Sequence, residues 1–104
     1  MKIPDTLEHE KNKYLLIKIM EESAEVAQAA AKALTFGINN HNPADTSGTN
    51  NGIDIMTEFY QLDAIIEMLQ EANVLPRFTQ HKELEIKIEK KDKVRKYMKK
   101  YGVN

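Results

Sequence analysis

Gly52-Ile53-Asp54-Ile55-Met56-Thr57-Glu58-Phe59-Tyr60-Gln61-Leu62-Asp63-Ala64-Ile65-Ile66-Glu67-Met68-Leu69 decides the fold. Wound at ~100° per residue, it puts Ile55, Leu62, Ile65, Ile66 and Leu69 on one stripe, which predicts a helix with a buried face. Tyr60, Asp63, Glu67 and Glu71 fall on the expected solvated side. Glu58 breaks the pattern, because it lies in the middle of the apolar stripe. A carboxylate buried without a partner costs several kcal/mol, so it is normally paired or bound to a metal. One reading gives Glu58 a lysine or a backbone donor in the core. The other gives it a cation shared with acids on a neighbouring helix.

The helices on either side follow from local signals. Pro76 closes the segment, so the second helix is predicted from about Asn51 to Ala72. Before it, residues 37–51 are dense in Gly, Asn, Pro, Asp and Ser and read as a long loop, a feature often functional in a small domain. The first helix is predicted from a capping box at residues 5–8 to Phe36, with Gly37 as its stop. Its broad apolar face is read as Leu16, Ile19, Met20, Val26, Ala27, Ala30, Ala33 and Leu34, with alanines that permit close approach of another helix. A third helix is predicted from Thr79 or Gln80 to Tyr101, with Gly102 as its stop. Its Leu84, Ile86, Ile88, Val94, Tyr97, Met98 and Tyr101 are spaced to pack. No stretch alternates like a strand. The expected architecture is all-α, a single-domain bundle of about three helices with a long loop after the first.

Composition narrows the function. The chain has 104 residues, so its core is small, and oligomerisation would complete it. Without cysteine there is no disulfide, thiolate metal site or cysteine nucleophile. His9, His41 and His81 are scattered and lack zinc-ligand spacing. The start does not read as a signal peptide and no run approaches the ~20 apolar residues of a membrane span, so a cytoplasmic protein with no membrane partner is expected. The net charge of −1 hides an asymmetry: residues from Lys82 onward carry +5 and those before it −6. A basic third helix would neutralise phosphates beside an acidic site, or bind nucleic acid. It lacks interleaved aromatics and any groove-reading motif, which makes nucleic acid the less favoured partner.

Glu21, Glu22 and Glu25 lie within about 100° of arc on the first helix, with Lys18, Gln28 and Lys32 on the same side. Alone, that stripe is an ordinary solvated surface opposite the apolar face. Taken with Glu58, it predicts a site in which Glu58 faces Glu22 and Glu25 across the helix pair. Carboxylates without histidine suit Mg²⁺, or Mn²⁺, rather than zinc.

These residues also carry a resemblance. Glu21-Glu22-Ser23-Ala24-Glu25 matches an E-E-x-x-E signature, followed by Lys32 and by Phe36-Gly37. Glu58-Phe59-Tyr60-Gln61 stands where the next helix would carry E-x-x-D. Asn50 or Asn51 before that helix, and the run Lys90 to Tyr97, also fit. Over residues 12 to 102 the chain resembles the MazG-like all-α nucleoside triphosphate pyrophosphohydrolases, particularly the short phage-type members. It departs at Gln61, an amide in place of the acid, and at Thr35, where a basic residue is often found.

The resemblance implies Mg²⁺-dependent hydrolysis of a nucleoside triphosphate to monophosphate and pyrophosphate, by a homodimer or homotetramer in the cytoplasm of a bacterium, encoded there or by a phage. It implies metal ligands at Glu22, Glu25, Glu58 and Gln61, and a base at Glu21 or Glu22. Lys18, Lys32, Asn51, Lys93 and Tyr97 would bind substrate. The loss of an acid at Gln61 also admits a non-catalytic relative that binds nucleotide or partner protein. There is no Gly-x-x-x-x-Gly-Lys-Ser/Thr loop, so the chemistry is not that of a P-loop.

Overall fold

The computed structural model describes residues 6–104, with side chains from residue 10 onward; the capping box expected at residues 5–8 lies outside the described residues. Three helices follow in order: α1 (Thr6–Phe36), α2 (Asn51–Glu71) and α3 (Gln80–Lys100). No strand occurs among the described residues, so the all-α reading stands.

The helix ends fall where the caps put them. Gly37 takes φ +96° at the end of α1, a left-handed conformation that glycine adopts without a Cβ penalty. Asn50 caps α2, its side chain accepting from the Ile53 amide at 2.8 Å. Thr79 caps α3 in the same way through the Lys82 amide at 3.1 Å.

α1 and α2 form a hairpin. Its buried residues are Leu15, Ala29 and Ala33 on α1, with Asn51 and Leu69 on α2. Ala29 and Ala33 have no bulk beyond Cβ, so the two helices approach closely near the loop. The loop is tied across the hairpin's open end. The Asn51 and Gly52 amides donate to the carbonyls of Asn40 (2.8 Å) and Ile38 (2.9 Å). The buried Asn51 side chain donates to the Gly37 carbonyl at 2.8 Å and the Lys32 carbonyl at 3.4 Å. Gly52 sits in a close approach, since a Cβ there would meet Ile38 Cγ2 at 3.1 Å and that side chain would have to give way slightly.

Two expectations are corrected. The face of α1 against α2 is not the one read from the sequence. Leu15, Ile19, Glu22, Val26, Ala29 and Ala33 are buried or half-buried, whereas Leu16, Met20, Ala27, Ala30 and Leu34 are exposed. The two arcs differ by ~100°; the packed one carries Glu22 among its apolar residues, so hydropathy favours the uncharged arc that is left exposed. Glu22 therefore sits on the packed side instead of opposite it. On α2 the expected stripe is buried at Leu69 and half-buried at Ile55, Leu62, Ile65 and Ile66, while Asp63, expected on the solvated side, is half-buried too.

The second correction concerns α3. Its apolar spacing predicts packing, yet none of its residues is buried, and among the described residues it makes no contact with α1 or α2. The radius of gyration is 17.8 Å, against about 13 Å for a compact chain of this length. Among the described residues, no helix is long and apolar enough to cross a membrane.

Candidate metal centre

The hairpin brings three glutamates together. Glu22 and Glu25 are one turn apart on α1, and Glu58 comes from the facing stripe of α2. Each offers a carboxylate oxygen, and these three oxygens lie within 4.8 Å of one another. The Oε2 atoms of Glu22 and Glu58 are buried with no hydrogen-bond partner. Buried acceptors are nearly always satisfied, so two orphans within one acidic cluster mark a place for a donor or a cation. Mg²⁺ holds oxygens at about 2.1 Å, so the three side chains would have to draw together to share one ion.

The electrostatics point the same way. Burial pushes the pKa of Glu58 upward, and a proton shared with Glu25 and the charges of Glu25, Glu22 and Asp54 push it further. Three acids at this spacing repel one another unless a proton or a cation stands among them.

Beside the triad is a cleft of about 230 Å³, lined by Glu25, Gln28, Ala29, Lys32, Asp54 and Glu58. At roughly 30 Å³ per water, it holds about seven waters, or an ion with part of a phosphate chain. Its lining combines one cation, Lys32, with three acids, Glu25, Asp54 and Glu58. Asp54 is positioned by Thr49, whose Oγ1 donates to Asp54 Oδ1 at 2.9 Å. Neither Asp54 nor Gln28 is among the site residues predicted from the sequence. Asp54 precedes Glu58 by four positions, one helical turn, and that spacing is the signal available for finding it.

The remaining predicted residues divide. Glu21 is exposed and paired to Lys18 Nζ at 2.9 Å, at the rim of the cluster. Its carboxylate raises the Lys18 pKa, first by hydrogen bonding and then by charge. Gln61 is exposed, one turn beyond Glu58. Asn51 is buried and its amide is spent on the α1 carbonyls, a structural role. Lys93 and Tyr97 are on α3, which does not reach the hairpin within one chain, so the structure does not bring them to the triad. Tyr97 instead stacks on Tyr101, with ring centroids 6.4 Å apart. No family model, curated protein or solved structure matches the chain.

Proposed function

We propose that this protein is a Mg²⁺-dependent nucleoside triphosphate pyrophosphohydrolase acting in the cytoplasm of a bacterium, encoded there or by a phage. The observation that carries the reading is the convergence of Glu22, Glu25 and Glu58, with two of their oxygens buried and unpartnered. The resemblance supplies the substrate class, and the cleft beside the triad supplies room for a phosphate chain.

Glu22, Glu25 and Glu58 would hold Mg²⁺, with Mn²⁺ as an alternative. When bound, the ion neutralises phosphate charge and lowers the pKa of water. Every other part is supplied by side chains. Lys32 faces the cleft and would bind phosphate oxygens. A glutamate, Glu21 or Glu22, takes the proton of the attacking water. The water oxygen bonds to phosphorus, the bridge between the α and β phosphates breaks, and the electron pair leaves with pyrophosphate. Lys18 holds Glu21 in place through their ion pair.

A non-catalytic nucleotide-binding relative is the second reading, and it rests on Gln61, which is neutral and exposed where the resemblance calls for an acid. Incubation with each dNTP and NTP plus Mg²⁺, with pyrophosphate as the readout, separates the two. Release that is lost in Glu58→Ala supports hydrolysis. Retained Mg²⁺ binding with no release from any nucleotide supports the relative. Salt-sensitive DNA binding without release would instead make the basic α3 the functional element.

A further inference from the structure

The cleft beside the triad holds an acid to which the resemblance gives no role. Asp54 is half-buried in the first turn of α2 and lines the cleft with Glu25, Glu58 and Lys32. An acid in a first helical turn is favoured by the helix dipole, which accounts for its place along α2. The dipole does not account for its company. A third carboxylate in a cleft with one lysine adds repulsion unless a cation balances it. That repulsion reaches the triad: burial does most to raise the Glu58 pKa, and the Asp54 charge adds to it.

Asp54 is also the counterpart of the acid missing at Gln61. At ~100° per residue, Asp54 and Gln61 lie ~40° and ~60° to the same side of Glu58, one turn before it and one turn after it. Their surroundings differ. Gln61 is exposed, whereas Asp54 stands at the loop end of the hairpin, where Ala29 lets the helices come close. The loop fixes the Asp54 carboxylate. Thr49 Oγ1 donates to Asp54 Oδ1 at 2.9 Å, and Ser47 Oγ lies 2.9 Å from Thr49 Oγ1. Among the described residues, no side chain other than Thr49 donates to Asp54.

We propose, on the metal reading of the triad, that Asp54 takes the part of the acid absent at Gln61, accepting hydrogen bonds from the water shell of the cation that Glu22, Glu25 and Glu58 would hold. The geometry favours this outer role over direct ligation. The three glutamate oxygens lie within 4.8 Å of one another, and Asp54 is outside that set. Mg²⁺ gives up water reluctantly and keeps several, for which the cleft of about 230 Å³ has room.

The test uses Mg²⁺ alone, without nucleotide, titrated calorimetrically into the full chain. Asp54→Asn keeps an oxygen for Thr49 and removes the charge. It should weaken Mg²⁺ binding at least about tenfold without loss of helix content, as the loss of an outer partner of a metal does. Gln61→Ala should leave the affinity unchanged. Thr49→Val keeps the charge but frees the carboxylate, so it should cost about threefold, and it decides the matter if Asp54→Asn fails to fold. Unchanged affinity in Asp54→Asn, when Glu58→Ala no longer binds Mg²⁺, overturns the role of Asp54 and leaves the triad standing. A lowered melting temperature with unchanged affinity does the same, since Asp54 would then serve only the helix end. An unaltered chain that binds no Mg²⁺, or binding that survives Glu58→Ala, overturns the metal reading of the triad and the role of Asp54 with it.

Discussion

α2 and α3 are each 21 residues long, and they are held by opposite means. α2 lays a stripe from Asn51 to Leu69 against α1, and Leu69 is fully buried. α3 has a threonine cap, the pairs Lys82–Glu85 (3.0 Å) and Asp92–Arg95 (3.5 Å), and lysines in its last turn. The cap contributes about 1 kcal/mol, and the pairs and terminal lysines a few tenths each. The hairpin is thus a tertiary unit carrying the candidate triad, while α3 is held as a helix by local preference. The contrast teaches that the same length and regularity can rest on different energies, and each invites its own perturbation.

The largest expected effect is on core packing. Leu69→Ala should cost about 2–5 kcal/mol, read by denaturant unfolding, because it opens a cavity where Leu69 fills the hairpin. Leu84→Ala, measured where the protein is dilute and α3 is free, should cost less than ~0.5 kcal/mol, since its side chain is 56 % exposed. Equal losses at both positions in dilute protein would break the comparison, for α3 would then pack within its own chain.

Next is the triad. Glu58→Ala should reduce pyrophosphate release at least about 100-fold, since even partners of metal ligands are worth 10–100-fold. The same site should also show a stability trade. A carboxyl whose pKa is raised in the folded state holds its proton more tightly there than in the unfolded chain. The metal-free protein should therefore lose stability as pH rises from the ordinary glutamate value through the raised value of Glu58. Acidification through that window should restore it. Glu58→Gln removes the ionisation, so it should raise the melting temperature of the metal-free protein at pH 7 and flatten this dependence. It should also abolish the stabilisation that Mg²⁺ gives the unaltered chain. A melting temperature that falls at pH 7 would mean that Glu58 is paired to a cation already present in the protein.

Asn51→Ala is expected to cost about 1–3 kcal/mol, because it leaves the Gly37 and Lys32 carbonyls without their donor. Thermal melting of this variant sharpens the boundary of the hairpin unit. A loss within a few tenths of a kcal/mol would show that the loop closes through the Asn40 and Ile38 carbonyls alone.

Most of the fold is legible in the chain because its punctuation is local. Gly37, Thr79 and Gly102 act within a turn, and the helices they flank stop or start at those residues. Helix faces are a different matter. Leu15 and Leu16 differ by ~100° and each heads an arc of α1; the Leu16 arc is uncharged while the Leu15 arc contains Glu22, so hydropathy points to the arc that does not meet α2. The answer lies in Glu22, which stands between Ile19 and Val26 on the arc that packs. The triad is legible for a related reason: an acid inside an apolar stripe has to be answered by something across the interface. The placements of Lys93 and Tyr97 are not legible, because they depend on where α3 docks, and one copy of the chain gives it no docking surface.

The smallest expected effect is at Gln61. The side chain is exposed and one turn from Glu58, so an added carboxylate would act on a bound cation largely through water. At that dielectric a unit charge about 8 Å from a divalent ion contributes about 1 kcal/mol, which sets the expected gain in Mg²⁺ affinity for Gln61→Asp at about fivefold. Isothermal titration of both forms measures it. A gain well above tenfold would mean that the introduced carboxylate turns inward and ligates the ion directly, and the missing acid would then be the reason for any weak turnover. Unchanged affinity would put position 61 outside the site and leave Glu22, Glu25 and Glu58, with Asp54 beside them, to set the affinity.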